Sequence, residues 1–161
     1  MDSIIVFLAN YLILAIVLLA VFVSYKAEKQ RQFLLAVILA GILALVLAAI
    51  AGALFYSPRP FVSQNIKPLF PHGPDNGFPS QHTVLAMTLT AVIYFYRRQL
   101  AVAAFILTLV VGAGRVWAHV HSWIDILGGL AVGAIAGYAG YKLAKFLIQR
   151  LISAKQPADR R

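Results

Sequence analysis

Cysteine is absent from this 161-residue chain, which excludes disulfide bonds and thiol chemistry. Charged residues are also scarce, at 12% of the sequence against about a quarter in soluble domains. Acidic residues are the rarest of them, with five Asp and Glu against 14 Lys and Arg. Hydrophobic residues make up 61% of the chain, which is typical of an integral membrane protein.

Five apolar stretches predict an all-α, polytopic membrane helix bundle. A helix needs roughly 20 apolar residues to cross the hydrocarbon core, and about 17 to 25 are tolerated. The start, MDSIIVF, lacks the basic segment and the cleavage site of a signal peptide, so we expect the first stretch to be retained. We take residues 1–161 as a single integral-membrane domain with helices near 3–25, 33–56, 79–96, 99–117 and 122–150.

Basic residues divide unevenly between the two sides of five such helices. One side holds eleven of the 14, namely Lys26, Lys29, Arg31, Arg97, Arg98, Lys142, Lys145, Arg150, Lys155, Arg160 and Arg161. The positive-inside rule places that side in the cytoplasm. The outer loop 57–78 then faces the periplasm or exterior of a bacterial-type inner membrane. We expect no nucleic-acid partner, because the basic residues are scattered and no domain gathers them.

Two polar motifs flank this outer loop. In SPRPF, two prolines stiffen the chain around Arg59, whose planar guanidinium suits phosphate oxygens. In FPSQHT, we expect Pro79 to lie in the first turn of the third helix, which places the backbone N–H groups of Ser80, Gln81 and His82 at a helix N-terminus. Such N–H groups bind anions, and a histidine there can transfer a proton near neutral pH.

A third motif, RVWAHVHSWID, joins the fourth and fifth helices. His121 and Asp125 are four residues apart, so they face each other if the last helix begins near Ser122. A carboxylate on one ring nitrogen fixes the tautomer and leaves the other nitrogen free to attack. His119 lies two residues from His121 and points elsewhere, so we interpret it as an interfacial or supporting residue. Arg115 ends the fourth helix.

Together these motifs indicate a site that binds an anion, with phosphate favoured, and that transfers a proton. A zinc site on His119, His121 and Asp125 is an alternative from the residue types alone. The neighbouring arginines favour an anion instead, and the outer side has too few carboxylates for a two-metal site. We therefore expect no metal and no other cofactor.

The same motifs resemble the signatures of a known family. The PRP, PSQH and GR…H…D segments are similar to those of the type-2 phosphatidic acid phosphatase superfamily, membrane lipid phosphatases that need no metal. Further segments, SPRPFV, PHGPDNGFPSQHT and VHSWIDILGG, more closely resemble the bacitracin-resistance-type undecaprenyl-pyrophosphate phosphatases. The resemblance implies a polyprenyl or other phospholipid as substrate, and hydrolysis through a phosphohistidine.

Residue roles follow from the resemblance. It implies that His121 is the nucleophile, that Asp125 is its partner, and that His82 protonates the leaving group. It also implies that the phosphoryl group is held by Arg59, Ser80, the backbone at Gln81, and Arg115.

Three positions depart from the family pattern. Gly52 stands where the family usually has a lysine, Gln81 where it has glycine, and Gly114 where it has serine. Lys67 in the outer loop is a candidate replacement for the missing lysine. The chain also has five expected helices where six are usual in the family.

Three questions stay open from the sequence. The lipid is undecaprenyl pyrophosphate, or alternatively phosphatidylglycerophosphate or phosphatidic acid, and a non-catalytic lipid-phosphate binding or transport protein is a further alternative. The loop segment with His72 and Asp75 is either a rim over the site or a plain connector. A stripe of Gly129, Gly133 and Gly137 serves packing within the chain or a dimer interface, so the oligomeric state stays open.

Overall fold

Apolar stretches interrupted by short polar connections fold into helices that pack side by side. The computed structural model describes residues 1–155, and the predicted all-α membrane helix bundle is confirmed there. Its helices are α1 (Asp2–Asn10), α2 (Ile13–Lys26), α3 (Gln30–Leu54), α4 (Pro60–Ser63), α5 (Gln81–Tyr94), α6 (Arg98–Trp117) and α7 (Trp123–Lys155).

Four helical stretches in the described range are long and apolar enough to cross a membrane: Asp2–Lys26, Gln30–Leu54, Arg98–Trp117 and Trp123–Ala154. The first of them combines α1 and α2, which a turn at Tyr11 and Leu12 separates. The continuous helix predicted for 3–25 is therefore broken, although no proline or glycine marks the position.

The third predicted helix is shorter than its apolar stretch. α5 has 14 residues, so it rises about 21 Å, less than the roughly 30 Å of a hydrocarbon core. It begins at Gln81 with Ser80 as its N-cap, and Pro79 lies outside the helix rather than in its first turn. Its C-terminal end turns at Phe95 and Tyr96 to enter α6.

The glycine stripe of α7 packs within the chain. A Cβ added at Gly133 would lie 2.6 Å from the carbonyl oxygen of Val84, and one at Gly137 would lie 2.8 Å from that of Thr88. Both neighbours are backbone atoms of α5, so only glycine lets the two helices approach this closely. Because α5 occupies this face, the stripe does not serve a dimer interface.

The outer loop lies across the end of the bundle that carries the polar motifs. The backbone N–H of Phe61 donates to the carbonyl of His119 at 3.2 Å, and that of Leu69 donates to the carbonyl of Ala118 at 3.2 Å. These bonds attach the loop to the connection between α6 and α7. All three sequence motifs therefore meet at one end of the bundle, as predicted.

Candidate active site

Asp125 organises the start of α7. Ser122 precedes the helix, and its backbone N–H donates to Oδ2 of Asp125 at 2.8 Å, which is the reciprocal half of a capping box. The same Oδ2 lies 3.4 Å from Nδ1 of His121, an ion-pair distance rather than a short hydrogen bond. Asp125 is 0% exposed. His121 and Asp125 therefore face each other in the structure, as their spacing predicts.

His121 presents its other ring nitrogen to two guanidinium groups. Nη1 of Arg59 and Nη2 of Arg115 each lie 3.3 Å from Nε2 of His121. Because guanidinium groups only donate, Nε2 carries the lone pair and the proton is on Nδ1, next to Asp125. This is the tautomer that a nucleophilic imidazole requires.

Burial, the largest influence, lowers the pKa of the His121 imidazole. The nearby carboxylate of Asp125 opposes this change, and the positive charges of Arg115 and Arg59 reinforce it. The net pKa is below the usual value, so the ring is neutral near pH 7 and its lone pair is available for attack.

Arg59 is buried between two prolines and held from three directions. Nη1 donates to the carbonyl of Val120 at 2.8 Å, Nη2 donates to that of Asn76 at 3.4 Å, and Nε donates to Oδ1 of Asp75 at 3.0 Å. Two of these acceptors belong to the outer loop. The loop and the α6–α7 connection thus set the direction of the guanidinium jointly.

Arg115, at the end of α6, is buried as well. Nη1 donates to Oδ1 of Asn10 at 2.9 Å, and Nη2 donates to Nε2 of His72 at 3.0 Å. Its guanidinium also lies over the ring of Phe70, 5.4 Å from the centroid. The buried Nε has no hydrogen-bond partner among residues 1–155, so one donor remains for a ligand.

The N-terminus of α5 supplies further donors. The backbone N–H of Ser80 donates to the carbonyl of Asp125 at 3.1 Å, so it does not serve a ligand as the sequence suggested. The Ser80 side chain is fully buried and makes no capping bond to the helix. The first N–H groups of α5, from Gln81 and His82, therefore remain as anion donors. The His82 side chain is half-buried beside them.

Asn76 fixes the outer loop to the end of α3, and the sequence did not reveal it. Its Nδ2 donates to the carbonyls of Gly52 at 2.8 Å and Phe55 at 2.9 Å. Its Oδ1 accepts from the N–H groups of Ser57 at 2.9 Å and Phe78 at 3.0 Å. All four hydrogen-bonding positions of the amide are used.

Gly52 lies at the same junction. A Cβ on Gly52 would lie 3.0 Å from the carbonyl oxygen of Phe78, so any larger residue would require this backbone to shift slightly. Lys67 is exposed, and it makes no hydrogen bond or ion pair with another residue of 1–155. Its suggested role in place of the lysine stays a prediction.

His72 and Asp75 both reach the site, which favours a rim over a plain connector. Asp75 forms an ion pair with Arg59 although its side chain is 71% exposed. The hydrogen bond from Arg59 lowers the pKa of Asp75. Their position in the proline-containing outer loop was the only signal in the sequence.

His119 lies apart from these contacts. Its backbone has a φ of 61°, and its side chain makes no hydrogen bond within the described range. Among residues 1–155, no group of three or more His, Cys, Asp or Glu side chains is placed to hold a metal ion. The site that the structure assembles is a set of donors for an anion around one imidazole.

Comparison with known families identifies this arrangement. The model of the PAP2 superfamily matches residues 29–149, which cover the motifs and four of the longer helices. The chain belongs to the PAP2 superfamily. It is accordingly a multi-pass membrane protein and a phosphatase of the hydrolase class.

Named PAP2 relatives include two bacterial proteins at 33% identity. One is undecaprenyl-diphosphatase BcrC of Bacillus subtilis (strain 168), aligned over 149 residues, which are 91% of this chain and 77% of the relative. The other is the putative undecaprenyl-diphosphatase YbjG of Escherichia coli (strain K12), aligned over 137 residues, 84% and 69% of the two chains.

Two solved PAP2-type structures share the fold. LpxE of Aquifex aeolicus matches with a TM-score of 0.71 and 25% identity over 88% of this chain and 85% of its own. A PAP2-type phosphatidylglycerolphosphate phosphatase from Bacillus subtilis matches with a TM-score of 0.64 and 20% identity, over 92% and 77%. The second similarity, at 20% identity, is evidence for the fold alone.

Vanadate, an analogue of a phosphoryl group during transfer, tests whether Asp75 competes with a bound anion for Arg59. Asp75→Asn should tighten vanadate binding up to about fivefold, because the anion no longer competes with a carboxylate for Arg59. An exposed ion pair is worth about 0–1 kcal/mol, which sets this limit. Vanadate inhibition of the purified protein measures the effect. Asp2→Asn is the matched control, and weaker binding to Asp75→Asn would mean that Asp75 only positions Arg59.

Proposed function

We propose that this PAP2 phosphatase hydrolyses undecaprenyl diphosphate to undecaprenyl phosphate and phosphate through a phosphohistidine. The observation that carries the proposal is the environment of His121, whose Nε2 lies 3.3 Å from two guanidinium groups while its Nδ1 faces Asp125. The two relatives at 33% identity, both named undecaprenyl-diphosphatases, support the choice of lipid.

In the first step, Nε2 of His121 attacks the terminal phosphorus. The N–P bond forms as the bond from phosphorus to the bridging oxygen breaks, and undecaprenyl phosphate leaves with a proton from His82, which gains that proton when the negatively charged substrate binds beside it. Asp125 stabilises the positive charge that develops on the imidazole. The arginines must release the His121 lone pair at this point, and the arriving phosphate oxygens give them other acceptors.

In the second step, water attacks the phosphohistidine. His82, now neutral, accepts a proton from the water as its oxygen bonds to phosphorus and the N–P bond breaks. Inorganic phosphate then departs, and both histidines return to their starting states. The same residue therefore acts as acid in one step and as base in the next.

Charge on the phosphoryl oxygens is stabilised by groups that are already in place. Arg59 and Arg115 come from opposite sides, and the N–H groups of Gln81 and His82 come from the α5 terminus. Positioning and electrostatic stabilisation of this kind supply most of the catalysis in phosphoryl transfer. The burial of both arginines makes each contact stronger than it would be in water.

We further propose that the site faces the periplasm or exterior of a bacterial inner membrane. The distribution of basic residues supports this orientation through the positive-inside rule. Undecaprenyl diphosphate bears its headgroup at a membrane surface, which fits a site at one end of the bundle. The lipid chain would then remain in the bilayer beside the helices.

Phosphate release from purified lipids tests the choice of substrate. Undecaprenyl diphosphate should be hydrolysed at least about tenfold faster than phosphatidylglycerophosphate or phosphatidic acid, since lipid phosphate leaves more readily than an alcohol. Activity should persist in EDTA, because the proposed steps use no metal. The control is His121→Ala, which should release no phosphate. Faster hydrolysis of either phospholipid would contradict the proposed substrate.

Single cysteines test the orientation, since the natural chain contains none. Gln64 in the outer loop and Gln99 at the start of α6 are both exposed and match in side chain. In intact cells, a membrane-impermeant maleimide should label Gln64→Cys and not Gln99→Cys. Permeabilised cells should show labelling of both variants. Labelling of Gln99→Cys alone in intact cells would place the site in the cytoplasm.

A further inference from the structure

His72 is a third histidine whose ring converges on the reacting position. Its Nε2 accepts from Nη2 of Arg115 at 3.0 Å, and the same Nη2 lies 3.3 Å from Nε2 of His121. The two imidazole rings are 6.0 Å apart and nearly perpendicular. One guanidinium nitrogen thus stands between the nucleophile and a loop histidine, and both ring nitrogens aim at it.

The contacts of His72 define its protonation in the empty site. Nδ1 lies 3.4 Å from the carbonyl of Gly73, which can only accept, so the proton is on Nδ1 and the lone pair is on Nε2. Burial lowers the pKa of His72, and the charges of Arg59 and Arg115 add to this effect, although the Gly73 carbonyl and Asp75 oppose it. The ring is therefore neutral until an anion arrives.

A bound phosphate group changes the hydrogen bonding of both His72 and His121. Its oxygens compete for Nη2 of Arg115, so the Nε2 atoms of His72 and His121 both lose their donor. For His121 this frees the lone pair for attack. For His72 a bare lone pair would face a phosphate oxygen and repel it, unless the ring gains a proton. The ring is half-exposed, so solvent can deliver that proton.

We propose that His72 is a further phosphate-binding residue of this site: on substrate binding it takes a proton from solvent and donates a hydrogen bond from Nε2 to a non-bridging phosphate oxygen. The inference rests on the proposed roles of Arg115 and His121. It makes the outer loop part of the catalytic machinery, because the loop contributes a charge that is present only while phosphate is bound.

Vanadate binding to the purified full-length protein in detergent, measured by titration calorimetry at pH 7, tests the proposal. His72→Ala should raise the dissociation constant about tenfold, the loss expected for one charge-assisted hydrogen bond. His72→Gln keeps a neutral donor and should lose less, about threefold. A dissociation constant for His72→Ala within twofold of the natural protein would overturn the proposal.

The matched control is His119→Asn, at a histidine of the same membrane face whose side chain makes no hydrogen bond within the described range. Asparagine tolerates the positive φ that His119 adopts, so the backbone is preserved. Vanadate binding to this variant should be unchanged within twofold. Thermal unfolding of each variant verifies that it is folded before its binding is compared.

Two measurements separate direct contact from an effect through Arg115. In an Arg115→Lys background, His72→Ala should still weaken vanadate binding several-fold, and loss of that effect would show that His72 acts only on Arg115. Calorimetry in buffers of different ionisation enthalpy gives the number of protons taken up with each vanadate. His72→Gln should take up about one proton fewer than the natural protein. Equal proton uptake by the natural protein and His72→Gln would refute the protonation of His72.

The His72 proposal and the proposed substrate fail in different ways. If undecaprenyl diphosphate is not hydrolysed but vanadate binding depends on His72, only the lipid assignment fails. If undecaprenyl diphosphate is hydrolysed and vanadate binding is indifferent to His72, only the role of His72 fails.

Discussion

The carboxylate of Asp125 is fully buried, and a buried charge is costly unless hydrogen bonds and an opposite charge compensate for it. Its Oδ2 accepts from the N–H of Ser122 and lies beside Nδ1 of the neutral His121 imidazole, while its Oδ1 has no hydrogen-bond partner among residues 1–155. The backbone carbonyl of the same residue accepts from Ser80. Asp125 therefore joins the start of α7, the proposed nucleophile His121 and the N-cap of α5. Gly77 passes so close to its Oδ2 that an added Cβ would lie 2.8 Å away.

Two buried guanidinium groups meeting at one nitrogen would repel each other without other acceptors. The chain supplies these acceptors from four places: Asn10 on α1, the carbonyl of Val120, and His72 and Asp75 on the outer loop. The break between α1 and α2 falls directly after Asn10, so the end of α1 contributes to the site. A phosphate group can replace the exposed carboxylate of Asp75 and the half-buried imidazole of His72, while the backbone carbonyl of Val120 stays.

The parts of the site that the sequence predicted have local causes. Prolines on both sides of Arg59 constrain its backbone, and the four-residue spacing of His121 and Asp125 is a helical period. The start of α5 was predicted at Pro79, two residues too early, yet the N–H groups of Gln81 and His82 still lie at the terminus. Apolar length alone also located the bundle, because membrane crossing imposes a minimum length on each helix.

The remaining features depend on tertiary contacts that carry no periodic pattern. Asn76 makes its four bonds to residues up to 24 positions away, and Arg115 meets Asn10 across 105 positions. The apolar stretch of α5 continues to Tyr96, but the helix ends at Tyr94 because the chain turns into α6. His72 resembled a loop residue because only the folded loop places it against Arg115.

The central claim is that a neutral His121 attacks phosphorus, and chemical trapping tests it most directly. Protein mixed with lipid diphosphate labelled in the terminal phosphate is quenched within milliseconds at high pH, and the labelled peptide is mapped. We predict label on His121, in greater amount in His82→Ala because the second step is slowed, and an unchanged amount in His119→Asn. Label on His119, or turnover with an unlabelled His121→Ala protein, would contradict the account.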